Sequence, residues 1–96
     1  MVDEMNVTVK RIAVAECLPK RMECEIPEGT TVRKLIGILS EQYGGDLKDE
    51  LLKDGEISEG VLIMLNGLSL FQPDVSLDTR MKDKDTVLFA VMVYGG

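Results

Sequence analysis

Val87-Leu88-Phe89-Ala90-Val91-Met92-Val93-Tyr94-Gly95-Gly96 is the stretch whose reading decides the fold. Its first seven residues are apolar in both alternating sets, the mark of a strand buried inside a sheet rather than of a fading terminus. Such a strand anchors the base of a short tail, Val93 to Gly96. Two successive glycines at the end of a chain are a rare accident: at roughly 7% average usage they are expected in about 0.5% of unselected chains. Lacking Cβ, Gly95 and Gly96 leave the backbone free in φ and ψ and let the last peptide and its α-carboxylate enter a slot too narrow for other residues. Four extended residues reach at most about 13 to 14 Å, enough to cross a shallow cleft into another protein's active site. The rest of the chain is therefore expected to hold this tail in solvent, with the carboxylate of Gly96 as the group on offer.

The 96 residues suit one domain spanning 1–96, with a single core and no linker or repeat. Hydrophobic residues make up 45% and charged residues 29%, ordinary for a globular domain, and no apolar run approaches the roughly 20 residues of a membrane span. Met1-Val2-Asp3-Glu4 is acidic and unlike a signal peptide, so a cytoplasmic protein without membrane association is expected. There is no histidine, which removes the commonest general base, the usual metal ligand and every Ser-His or Cys-His nucleophile pair. Self-contained catalysis is not expected. A net charge of −6 opposes phosphate backbones, excluding nucleic acid and favouring a protein partner or a basic cleft. Cys17 and Cys24 are too far apart for a Cys-x-x-Cys motif and too few for a disulfide scaffold. Free thiols are the default, with a bridge across the first hairpin left open.

Working back from the closing strand, Asp83-Lys84-Asp85 reads as a charged turn, Leu77 as a lone apolar anchor, and Gln72-Pro73-Asp74 as another turn. Asn66-Gly67 is the strongest short hairpin signal, because a type I′ turn needs positive φ at both central residues. It joins Val61-Leu62-Ile63-Met64-Leu65, apolar without alternation and expected to be covered on both faces, to a returning strand Leu68-Ser69-Leu70. Asp46 to Lys53 is expected as a short second helix with Leu47, Leu51 and Leu52 inward and Gly55 ending it. Thr31 can cap the main helix, whose apolar positions Val32, Leu35, Ile36 and Leu39 follow one helical face; Gly44-Gly45 stops it. Gly37 inside that helix costs about 1 kcal/mol relative to alanine, and close packing on the sheet is the favoured compensation. Arg21 to Ile26 alternates as a half-buried strand. Met5 to Ala15 carries Val7 and Val9 in one phase and Ile12 and Val14 in the other, which suggests a strand with a bulge or twist near Lys10-Arg11. The outcome is an α+β domain: one mixed sheet packed on one main helix, with the opening hairpin and the closing strand side by side in its middle.

The order of these elements, the Pro27-Glu28-Gly29-Thr30-Thr31-Val32 lead into the helix, Leu65-Asn66-Gly67, Asp83-Lys84-Asp85-Thr86-Val87 and the closing Gly95-Gly96 together resemble the ubiquitin-like sulfur carriers of the MoaD/ThiS type. The likeness covers nearly the whole chain. It is nearest the small subunit of molybdopterin synthase, with the thiamine-pathway carrier next. The resemblance implies a β-grasp fold and a protein that is a substrate or subunit rather than an enzyme. An E1-like adenylating enzyme activates the carboxylate matched by Gly96 with ATP and Mg²⁺, and sulfur then replaces AMP to leave a thiocarboxylate. Gly95, Tyr94 and Val93 would enter the partner, and the sulfur would pass to an acceptor such as the large subunit of molybdopterin synthase or thiazole synthase. No cofactor or metal is bound by the carrier itself. Two features depart from the pattern: Met92-Val93-Tyr94 stands where prolines and a small polar residue are common, and Lys84 stands where a glycine is common. A ubiquitin-like protein modifier shares the adenylation step. The reading from a different class is a non-covalent ubiquitin-like interaction domain.

Other features have plainer readings. Met64, Met81 and Met92 are expected as core filler, the acidic stretch Asp46 to Glu59 as a solvated face, and Asp83 and Asp85 as turn formers rather than calcium ligands. The closing strand leaves one choice open. Its two sets, Val87, Phe89, Val91 and Val93 against Leu88, Ala90 and Met92, cannot both lie under one helix. One set, represented by Phe89 and Val91 or by Ala90 and Met92, is expected to form an exposed apolar patch beside the tail for docking partners.

Overall fold

The computed structural model describes residues 3–44 and 46–91. The alternation at the start of the chain becomes an antiparallel pair, β1 (Glu4–Ile12) and β2 (Arg21–Pro27). Its register runs unbroken from Glu4 opposite Pro27 to Lys10 opposite Arg21, so the expected bulge is absent. The change of phase has another cause: β1 ends at Ile12, Ala13 and Ala15 turn the chain with φ of 59° and 56°, and Val14 reaches the core from the loop.

The main helix, α1 (Val32–Tyr43), starts where Thr31 caps it, its hydroxyl accepting from Lys34 N–H at 3.2 Å. The two N–H groups before Lys34 are also satisfied, Val32 donating to Thr79 O and Arg33 to Leu77 O (3.3 and 2.8 Å), so no donor of the first turn is stranded. This is what the lone apolar Leu77 achieves: buried itself, it holds the 77–80 segment against the head of the helix. Arg33 reinforces the junction, with Nε 2.9 Å from Asp78 Oδ1 and Nη1 donating to Gly55 O. The hydrogen bond from Arg33 holds the Asp78 carboxyl below the usual carboxylate range. That ion pair is therefore in place above the ordinary carboxylate pKa and is lost as pH falls through the lowered one.

The second helix, α2, spans Asp46–Leu51 and is shorter than expected. Leu52 and Lys53 instead form β3 (Leu52–Lys53), paired with β4 (Glu56–Ile57) across Asp54-Gly55, whose φ values of 53° and 80° are those of a type I′ turn. Gly55 is a hairpin residue, not a helix stop. Asn66 and Gly67 make the expected turn (φ 52° and 83°) between β5 (Val61–Leu65) and β6 (Leu68–Ser69), with Leu70 buried just beyond.

The last strand, β7 (Thr86–Val91), lies between β1 and β5, parallel to the first and antiparallel to the second. The sheet order is β2-β1-β7-β5-β6, the mixed β-grasp arrangement, with β3 and β4 as a separate two-stranded ribbon. Strands β1 and β7 take the middle as expected, whereas β2 lies at the edge rather than in the centre. The core fills the space between one sheet face and α1: Met5, Val7, Val9, Ile26, Ile63, Val87 and Phe89 below, Val32, Leu35, Ile36 and Leu39 above, with Leu47 and Leu51 closing one end. Met81 joins this core, but Met64 does not; β5 alternates buried and half-buried residues because no element among the described residues covers the far face. Among the described residues no helix is long and apolar enough to cross a membrane.

Gly37 is not explained by close packing. A Cβ placed on it would meet no atom within 4 Å, and the residue instead lines an open groove of about 560 Å³ with Lys34, Glu41 and Lys48. With space above it and ordinary helical φ, the Gly37→Ala variant should be more stable by about 0.5 to 1 kcal/mol, read as a rise in the denaturation midpoint at unchanged m value.

Candidate functional site

The register of β7 settles which of its two sets faces outward. Val87 and Phe89 lie opposite Val9 and Arg11 on β1 and opposite Leu65 and Ile63 on β5, and both are fully buried beneath α1. Phe89 is therefore a core residue and is removed from the candidate docking surface. Val91, of the same set, is 42% exposed at the end of the strand, past the cover of the core. The opposite set, Thr86, Leu88 and Ala90, faces away from α1.

Reading across the strands gives the composition of this outer face. One row runs Lys10, Leu88, Met64; the next, nearer the end of β7, runs Ile12, Ala90, Leu62. Leu62, Met64 and Leu88 are half-buried, and Ile12 is 60% exposed. Ala90 is only 8% exposed although it faces outward, because its single methyl lies between the longer side chains of Ile12 and Leu62. The apolar surface is thus carried by Ile12, Leu62, Met64 and Leu88 around Ala90 rather than by β7 alone. Lys10, with Arg21 directly opposite it on β2, gives the patch a basic flank in a chain whose net charge is −6. The sequence pattern does not mark Ile12 as a surface residue, because the phase change beyond Val9 fits a bulge or twist within β1 as well as a turn after it.

The start of β7 is locked on its other side. Asp85 accepts from Lys82 N–H (2.7 Å) and from Asn66 Nδ2 (2.8 Å), its carbonyl accepts from Thr8 N–H (2.9 Å), and Asn66 Oδ1 accepts from Thr86 N–H (2.8 Å). Asp83 Oδ1 accepts from Asn6 N–H at 2.8 Å. Both aspartates are therefore turn and register residues. Between them Lys84 adopts φ 71°, the left-handed conformation a glycine takes without steric cost, which is why a glycine suits that position.

The tail residues Gly96, Gly95, Tyr94 and Val93, and Met92 of the outward set, lie outside the described residues. What the structure positions is their base: Val91 leaves the centre of the sheet beside the Ile12 row. Cys17 is exposed and Cys24 half-buried, both free, and burial pushes the Cys24 thiol up. Among the described residues no cluster of three or more His, Cys, Asp or Glu side chains could hold a metal ion.

A mixed five-stranded sheet grasping one long helix, with its last strand at the centre, defines a ubiquitin-like β-grasp protein. The chain belongs to the ThiS family, whose model matches residues 12–96, and so to the sulfur carriers its sequence resembles. It is 36% identical over 69 residues to a candidate sulfur carrier protein of Archaeoglobus fulgidus, covering 72% of this chain and 77% of that one. Among solved structures, a candidate molybdopterin converting factor, subunit 1, from Pyrococcus furiosus superposes with a TM-score of 0.72 at 30% identity, covering 93% of this chain and 99% of the other. The small archaeal modifier protein 1 of Methanosarcina acetivorans shares the fold with a TM-score of 0.74 at 20% identity, covering 98% of this chain and 99% of the other.

The face assignment predicts opposite outcomes for two charge insertions. Phe89→Asp places an unpaired carboxylate in the core, costing several kcal/mol against a typical stability of about 5 to 15 kcal/mol, and should give an unfolded chain by circular dichroism. Ile12→Asp should stay folded, with stability within about 0.5 kcal/mol of wild type.

Proposed function

We propose that this protein carries sulfur on the α-carboxylate of Gly96. The reading rests on one observation above all: the ThiS-family match runs through Gly95 and Gly96. A free carboxylate is a poor electrophile. An E1-like enzyme would supply Mg²⁺-ATP, the Gly96 carboxylate would attack the α-phosphorus with release of pyrophosphate, and the resulting acyl adenylate would carry AMP as a good leaving group. Sulfide, or a sulfur donor at the same oxidation level, then adds at the acyl carbon and expels AMP, leaving a thiocarboxylate. In the acceptor enzyme the thiocarboxylate sulfur would attack an electrophilic carbon of the substrate, either displacing that carbon's leaving group or adding across its double bond, which then takes up a proton, and hydrolysis of the acyl–sulfur bond leaves the sulfur on the substrate and returns the Gly96 carboxylate. All of this chemistry belongs to the partners.

This chain's contribution is presentation. Gly95 gives clearance in the partner's slot, Val93 and Tyr94 span the distance from the sheet, and the outer face around Ile12, Leu62 and Leu88 gives both partners a landing surface next to the tail. A shared surface makes the activating enzyme and the acceptor compete, so the carrier leaves one before engaging the other. Molybdopterin synthesis is the favoured pathway, supported by the 30% identity to the Pyrococcus furiosus protein, and thiamine synthesis the next. Conjugation to lysine, as by a protein modifier, would use the same adenylate with an amine in place of sulfide; the likeness to the archaeal modifier is one of fold.

Intact-mass analysis after incubation with a sulfur-carrier activating enzyme, Mg²⁺-ATP and sulfide tests the reading, with exchange of one oxygen for sulfur at Gly96 as the expected result. The Gly96→Ala variant should melt as wild type yet show no exchange, and adding one residue after Gly96 should also abolish it. Exchange at the wild-type rate in Gly96→Ala would refute the narrow-slot argument, and a partner that binds the extended chain undiminished would point to a docking module instead.

A further inference from the structure

Helix α1 carries two stripes with the same spacing. Val32, Leu35, Ile36 and Leu39 face the core, whereas Lys34, Gly37, Ile38 and Glu41, each two residues further on, lie on the side turned away from it. Lys34 and Glu41 are exposed, and Gly37 and Ile38 between them are half-buried. Gly37 costs the helix about 1 kcal/mol relative to alanine, yet among the described residues nothing comes within 4 Å of where its Cβ would stand. The fold does not need the missing side chain. What its absence makes is a hollow on the surface, the open groove of about 560 Å³ over this stripe, which continues past Glu41 to Gly44.

The charged groups that line the groove are Glu28, Arg33, Lys34, Glu41 and Lys48. Arg33 is committed to Asp78 and to the carbonyl of Gly55, so two cations and two anions remain, in balance. A strongly basic or strongly acidic partner therefore finds no matching field here. At physiological ionic strength exposed charges act over about 8 Å, so this local balance, rather than the net charge of −6, governs contact between two copies.

The stripe is complementary to itself. A two-fold axis crossing α1 between Gly37 and Ile38 sets two copies of the helix antiparallel, with Lys34 opposite Glu41 and Gly37 opposite Ile38, each pair made twice. Ile38 of one copy then fills the space where Gly37 of the other has no Cβ, and the helix axes can close to the roughly 8 to 10 Å of packed helices. The charge pair and the apolar pair demand the same axis, and any other position breaks both. Moved to Gly37, the axis sets Glu41 against Arg33, which Asp78 already holds; moved to Ile38, it sets Glu41 against the buried Leu35. An axis at Lys34 or at Glu41 opposes like charges, and so do parallel helices. Exposed ion pairs add little affinity, so their part is to fix register while Ile38 over Gly37 makes the contact.

We propose that the outward face of α1 is the contact surface of a weak, two-fold symmetric dimer of this chain, with Ile38 of each copy seated over Gly37 of the other. Three helical turns, about 18 Å long, bury well under the roughly 1,600 Å² of a standard interface, which puts the dissociation constant on the order of 100 µM. The outer face of the sheet lies on the opposite side from α1, so both copies keep it free.

The test is a concentration series of the ¹⁵N-labelled full chain up to about 2 mM, roughly twenty times the expected dissociation constant, read by amide shifts and translational diffusion. Expected are slower diffusion and saturable shifts centred on Lys34, Gly37, Ile38 and Glu41. Gly37→Leu, checked as folded by its dispersed spectrum, should abolish both. Lys34→Glu and Glu41→Lys, each of which sets like charges together twice, should each associate about tenfold more weakly than wild type. Their equimolar mixture should regain wild-type association or better, because every Glu then faces a Lys. Undiminished association of Gly37→Leu, a mixture no tighter than its components, or shifts centred on the outer sheet face or on β2 would overturn the proposal. Absence of any change at 2 mM would also overturn it and give the groove to a different protein.

Discussion

The register of β7 between β1 and β5 is the constraint on which the remaining structure depends. A strand has period two, so sliding β7 by one residue would drive Leu88 and Ala90 under the helix and expel Val87 and Phe89 into solvent. Apolar content cannot prevent that slip, because both sets are apolar. Polar bonds at the start of the strand do. Asn66 holds the N–H of Thr86 and the carboxylate of Asp85, and the carbonyl of Asp85 takes the N–H of Thr8, so the β5–β6 turn, the charged turn and β1 all meet at one point. The residues that look like loop chemistry in the sequence are the ones that decide which residues form the core.

That arrangement also marks how far the sequence could be read. Where the pattern has a sign of its own, the reading succeeded: β2 alternates charged with apolar, so its buried face was plain, and Thr31 and Asn66-Gly67 are residue types with narrow geometric uses. In β7 periodicity supplies two classes but not which is inner, since the choice is made by partners far along the chain. The same limit holds in β1, where the spacing of Ile12 and Val14 fits a strand continuing in a new phase although the chain turns at Ala13. Asp54-Gly55 was legible in principle, being the same turn signal as Asn66-Gly67. It was overridden by the helical spacing of Leu47 and Leu51 just before it. The tail's chemistry was suggested by residue identity alone, and its base, Val91 beside Ile12, is the part that geometry supplies.

Among the described residues a single long helix over five strands leaves one sheet face uncovered, and that face differs in character from centre to margin. The centre of the bare face is apolar, with Ala90 keeping it nearly level between Ile12 and Leu62. Its margin is charged and belongs to β2. The bare face is thus apolar at its centre and charged along its β2 margin, where Arg21, Glu23 and Glu25 are exposed.

The parallel pairing of β1 with β7 joins Thr8 to Thr86, residues from nearly opposite ends of the chain. Contacts this distant in sequence carry a high loop-closure cost before they repay anything, and they slow folding relative to a fold built on neighbours. During synthesis, β1, β2 and α1 emerge early but have no sheet centre to close on; Val7, Val9 and Leu35 stay without their covering strand until β7 has left the ribosome. Completion of the fold is therefore tied to completion of the very segment that leads to Gly96. A chain terminated before Thr86 would lack the central strand, leaving β1, β2 and α1 as an open sheet exposed to proteolysis rather than a folded domain.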